Sequence, residues 1–113
     1  MTHLEFKERI VAGRLELISK TLLKKGDEYI RNDNPFHNFD KGAIRNSTTP
    51  ENILRSFMEK HLISLDDIID DVTNGEDCYE HEINEKIGDI ICYLILLEGL
   101  LKRRLWRQEL LKK

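Results

Sequence analysis

Carboxylates crowd into one stretch of this chain. Residues 63–89 hold Asp66, Asp67, Asp70, Asp71, Glu76, Asp77, Glu80, Glu82, Glu85 and Asp89, against Lys86 as the one Lys or Arg. Like charges at that density repel one another. A bound divalent cation is one resolution, because carboxylate oxygens are the preferred ligands of Mg²⁺ and Mn²⁺; a plain acidic hairpin is the other. At about 100° per residue, Glu82, Glu85, Asp89 and Tyr93 share one stripe of a helix, and Lys60, Ser64, Asp67 and Asp71 share a stripe of the preceding one. A turn at Gly75 makes the two an antiparallel hairpin that sets Glu85 level with Asp67, and Asp89 level with Lys60 to Ser64. Asp67, Glu85 and Asp89 are then candidate metal ligands, with Lys60 at the rim. A Lys60–Asp89 salt bridge that only fixes register explains the same pattern. Asp89 abuts the apolar run Ile90 to Leu97, so it is expected to be the driest carboxylate and to need a partner. His61 points into the apolar face of its helix, either as a hydrogen-bonded core residue or as part of a site.

The second concentration of unusual residues lies between Asp27 and Thr48. This stretch is rich in turn formers and also carries Tyr29, Phe36 and Phe39. Its aromatics either cap one end of the fold or line a ligand site. There is no Gly-rich phosphate loop, no Ser-His-Asp set and no zinc-ligand spacing to suggest other chemistry. Cys78 and Cys92 form no framework and no metal pair, and Cys92 reads as a reduced core thiol.

Three helices must position these groups. His3 to Lys25 carries Leu4, Phe6, Ile10, Val11, Leu15, Leu17, Ile18, Leu22 and Leu23 on one broad face and ends on Lys24-Lys25-Gly26. A second helix starts with Thr49 as N-cap and Pro50 at its first position, and runs to about Val72 before Thr73-Asn74-Gly75. A third begins near Glu80 and continues almost to the C-terminus. Its Ile83, Ile87, Ile90, Leu94, Leu97 and Leu101 are spaced by four, three, four, three and four, a heptad-like seam. Between Ile90 and Leu97 the helix is apolar all round and has to be buried all round, which predicts a homodimer completing a larger bundle. The basic tail from Lys102 to Lys113 is explained by the dipole of a helix C-terminus.

Composition agrees. The 113 residues have room for one domain, 1–113, and Leu and Ile supply 29 of them against two Val. With 35% charged residues the expected class is all-α: an antiparallel bundle of three main helices plus a structured loop. A formal charge of −3 provides no field to draw nucleic acid. No apolar run reaches the roughly 18 residues of a membrane span. The opening Met1-Thr2-His3-Leu4-Glu5 lacks a secretory layout, so the expected compartment is the cytoplasm.

Lys25-Gly26-Asp27-Glu28-Tyr29, Phe36-His37-Asn38-Phe39, Glu59-Lys60-His61 with Ser64, and Glu85-Lys86-Ile87-Gly88-Asp89 with Tyr93 resemble small phage and prophage proteins. The group they resemble is the MazG-like, nucleotide-modification-associated one, within the all-α nucleoside triphosphate pyrophosphatase class, and the resemblance spans roughly Leu22 to Leu101. It implies a Mg²⁺-dependent (or Mn²⁺-dependent) hydrolase that cleaves a nucleoside triphosphate between its α and β phosphates and assembles through dimers. Carried onto this chain, it makes Glu85 and Asp89 the catalytic, metal-holding acids with Asp67, and Lys60, Lys25 and Arg31 the phosphate contacts. Tyr29, Asn38 and Phe39 would meet base or sugar, with His61 and Tyr93 beside them. The chain departs from the class signature in two places. Glu85-x-x-x-Asp89 is one residue longer than Glu-x-x-Asp, and no Glu follows Glu59 at the expected spacing, a gap that Asp67 with Asp70 or Asp71 could fill. The alternatives are therefore a catalytically silent protein that binds a nucleotide signal, as in anti-defence, and a module acting on a host protein.

Overall fold

In the computed structural model, residues 1–29 and 33–112 are described, the side chains of 23–29 excepted. All regular elements among them are helical. A long first helix joins α1 (His3–Glu5), a π-helical segment (Phe6–Val11) and α2 (Ala12–Tyr29). It is followed by α3 (His37–Arg45), α4 (Pro50–Thr73) and α5 (Glu80–Leu111). The all-α expectation holds at this level. The structure differs from the expectation of three helices and a loop by the nine-residue α3, and the first helix extends beyond Lys25 to Tyr29.

The local causes are legible. The Thr49 hydroxyl accepts from the Asn52 N–H at 3.2 Å, and Pro50 occupies the first turn, where a missing N–H costs nothing. At the other end of α4, Gly75 adopts φ 87° while the Glu76 N–H reaches back to the Asp71 carbonyl at 2.9 Å, closing the helix. Helix α3 escapes sequence periodicity because it is only about two and a half turns long. It is set up by Asn34, whose Oδ1 accepts from the Phe36 N–H at 2.9 Å and whose Nδ2 donates to Asp40 at 2.9 Å.

Helices α4 and α5 form the expected antiparallel hairpin: His61 meets Asp89 near its middle, and Glu51 meets Arg104 at its open end. Helix α2 runs alongside α5 in the same direction, since Arg14 donates to the Asn84 carbonyl at 3.1 Å and Leu22 shares a cleft with Cys92 and Leu96. The core sits where α3, α4 and α5 converge. Leu54 and Leu100 are fully buried, Phe39 and Ala43 nearly so, and Phe36, Ile53, Tyr93 and Leu96 pack around them. Two bidentate pairs lock this end: Arg103 to Asp40 at 2.6 and 2.9 Å, and Arg104 to Glu51 at 2.5 and 2.8 Å. Part of the basic tail therefore answers specific acids on α3 and α4 rather than only the helix dipole.

The core is small. Leu94 is 49% and Ile95 42% exposed, so one chain does not enclose the run Ile90 to Leu97. No helix among the described residues is long and apolar enough to cross a membrane.

Candidate functional site

The antiparallel hairpin brings α4 and α5 side chains into register, and the site grows from that contact. His61 Nδ1 lies 3.3 Å from Asp89 Oδ2, with the two side chains 27% and 19% exposed. On α4, the contact to Asp89 comes from His61, one residue on from Lys60, which is exposed. Asp89 is well shielded, although Glu51, at 16%, is drier. One turn along α5, the Tyr93 ring stands 5.2 Å from the His61 ring, tilted by 38°.

These three groups form one wall of a cleft of about 400 Å³. Phe39 and Asn38 come to it from the start of α3, Phe57 from α4, and Leu22 from α2. Phe39 and Phe57 are themselves in ring contact at 6.1 Å, which holds the aromatic side of the cleft in place. The lining is largely apolar, with Asn38, His61 and Asp89 as its polar groups. A concave apolar site with a few convergent polar groups is the usual form of a small-molecule site, and its volume is at the small end of that range. The rings offer stacking surfaces, Asn38 offers both a donor and an acceptor, and Asp89 offers an acceptor for an amino or hydroxyl group.

Of the residues expected from sequence, Asn38, Phe39, His61, Asp89 and Tyr93 converge here. The side chains of Lys25 and Tyr29, and the whole of Arg31, lie outside the described residues. Glu85 does not line this cleft. Its side chain is 62% exposed, 3.7 Å from Lys86, on a neighbouring groove with Arg14, His81, Asn84 and Asp89. Asp67 is exposed and belongs to neither. Among the described residues, no group of three or more His, Cys, Asp or Glu side chains is placed to hold a metal ion. The expected set Asp67, Glu85 and Asp89 is therefore not assembled within this chain: Glu85 and Asp89 share the groove with Arg14, and Asp67 on α4 stays in solvent away from it.

Sequence reasoning passed over Leu22, Phe57 and Cys92 as core residues, and over Arg14 altogether. The apolar lining of a cleft carries the same pattern as a core, so nothing in the sequence separates them. Gly88 is the one missed signal: a Cβ there would lie 2.9 Å from the Arg14 guanidinium, so the glycine lets Arg14 cross α5 beside Asp89. Comparison with protein-family models, with curated proteins and with solved structures found no match.

Proposed function

We propose that the protein binds a nucleotide or a nucleotide-like small molecule in the His61–Asp89–Tyr93 cleft. One observation carries this reading: Phe39, Phe57, His61 and Tyr93 line a space of about 400 Å³ to which Asn38 and Asp89 also contribute polar side chains. Aromatic walls with a few polar groups suit a planar heterocycle, and the sequence resemblance to nucleotide pyrophosphatases points to the same ligand class. The binding protein acts in the cytoplasm as a homodimer or higher homo-oligomer, and neither nucleic acid nor membrane is a partner.

Hydrolysis to a monophosphate and pyrophosphate is the stronger form of the reading. The catalytically silent form, in which the nucleotide is bound and held, rests on the two departures of this chain from the class signature, at Glu59 and at Glu85-x-x-x-Asp89. Thermal-shift titration with ribo- and deoxyribonucleoside mono- and triphosphates, with and without Mg²⁺ or Mn²⁺, tests binding. Ligand at 100 times its Kd adds about 2.7 kcal/mol of stability, a rise of several degrees in Tm for a domain of this size. Pyrophosphate release in parallel separates the two forms. A folded protein whose Tm moves with none of these nucleotides refutes the proposal.

A further inference from the structure

Helix α5 carries two apolar seams, one that the chain buries and one that it leaves half-buried at Ile83, Ile87 and Ile90 and exposed further along. Asp89, Tyr93, Leu96 and Leu100 face α3 and α4. The heptad-spaced seam of Ile83, Ile87, Ile90, Leu94, Leu101 and Leu105 stands about 120° away round the helix. Leu94, Leu101 and Leu105 are 49%, 51% and 48% exposed. Leu97, half-buried against the core, joins them in an open apolar groove, rimmed by the Glu98–Lys102 ion pair at 3.1 Å.

We infer that this groove is the interface of a homodimer in which α5 packs on the α5 of a second copy. The inference deepens the homo-oligomer part of the function proposed above and is independent of the ligand. Three observations name a second copy as the occupant. The spacing of the seam is that of helices that pack knobs into holes, and a straight seam of one residue class fits its own copy across a two-fold axis. The area is right as well. The chain exposes 8962 Å², against about 6,500 Å² for a folded monomer of this mass. Its radius of gyration of 17.2 Å compares with about 13 Å for a compact domain of this length. That excess of about 2,500 Å² is spread over the chain, first helix and α4 included, and leaves room for the roughly 1,200–2,000 Å² in total that a stable dimer buries. Finally, α5 is charged end to end. Glu80, Glu82 and Glu85 lie in its first turns, with Glu76 and Asp77 in the turn before it, and Lys102, Arg107 and Lys112 lie near its end. A second copy laid antiparallel sets opposite charges and opposite helix dipoles side by side.

Sedimentation velocity on the full chain, with far-UV circular dichroism, tests this. The expected results are a dimer for the wild type, a monomer for Leu94→Glu/Leu101→Glu, and a dimer for Ile63→Glu. Ile63 is 56% exposed on the side of α4 opposite the buried Leu54, so it controls for adding a charge to an exposed apolar site. If the double Glu variant does not fold, Leu94→Ala/Leu101→Ala decides, with an expected rise of at least tenfold in the dimer dissociation constant. A monomeric wild type overturns self-association. A dimeric wild type whose folded double Glu variant stays dimeric, or whose Ala variant dissociates no more readily, leaves self-association standing and overturns the seam. Nucleotide binding, read separately by thermal shift, fails or survives independently of both.

Discussion

Arg103 is the most informative single residue to remove, because it joins the last third of α5 to the helix that carries Asn38 and Phe39 to the cleft. Arg103→Ala deletes two hydrogen bonds to the Asp40 carboxylate, at 2.6 and 2.9 Å, and the stacking of the guanidinium over Phe36 at 5.0 Å. A hydrogen bond to a charged group contributes about 1.5–3 kcal/mol, and a cation–π contact at a partly exposed site about 0.5–1 kcal/mol. The side chains of Arg103 and Asp40 are 23% and 29% exposed, so water screens the pair and the lower part of that range applies. Asp40 also keeps its bond from Asn34, which holds the cost below that of stranding a fully buried charge. The expected loss is about 2–3 kcal/mol, measured by urea unfolding followed by far-UV circular dichroism. A pH arm isolates the ion pair. The Arg103 hydrogen bonds hold the Asp40 carboxyl below its ordinary value, with burial opposing them. A depressed carboxylate contributes stability that is complete above its unfolded pKa and is lost as pH falls through its folded one. The wild type therefore loses this contribution on acidification below the ordinary Asp range, and Arg103→Ala, left with the smaller effects of Asn34 and Arg107 on Asp40, shows a shallower decline there. A variant within 0.5 kcal/mol of wild type at neutral pH, or one with the same acid dependence, refutes the reasoning.

Other perturbations probe the remaining parts. Leu100→Ala empties a fully buried position and should cost about 3–4 kcal/mol in the same urea assay. Gly99→Ala drives a Cβ to 2.7 Å from the Phe36 ring and should cost about 1–3 kcal/mol, whereas Gly13→Ala, with nothing within 4 Å, should be neutral or stabilising. Thr49→Ala removes the α4 N-cap, with an expected loss of about 1 kcal/mol that Thr49→Ser largely restores. Asp89→Asn and Tyr93→Ala should each weaken nucleotide binding at least tenfold by calorimetry while Asp67→Asn leaves it unchanged; equal effects from all three would remove the cleft as the binding site.

Local chemistry written in the sequence determined much of this protein. Thr49-Pro50, Gly75 and the apolar spacings of the second and third helices specify elements whose ends hold to within a residue or two, because caps, a positive φ and a dominant period act over a few residues. The same counting from Gly75 placed Asp89 level with Lys60 to Ser64. It did not choose His61 over Lys60, because a helical level contains several side chains and only the rotation of the packed helices selects one. Helix α3 was illegible: two and a half turns are too short to show a period, and their anchor to Arg103 spans 63 residues of sequence. The acidic cluster shows the limit most clearly. Composition alone suggests one cation site, yet the fold leaves Asp67 in solvent, turns Glu85 to the groove beside Arg14, and shelters Asp89 between that groove and His61. Sequence fixes which residues share a stripe of one helix. Which stripes turn toward a neighbour is a property of packing, and so the heptad seam is half-buried at Ile83, Ile87, Ile90 and Leu97 and open at Leu94 and Leu101.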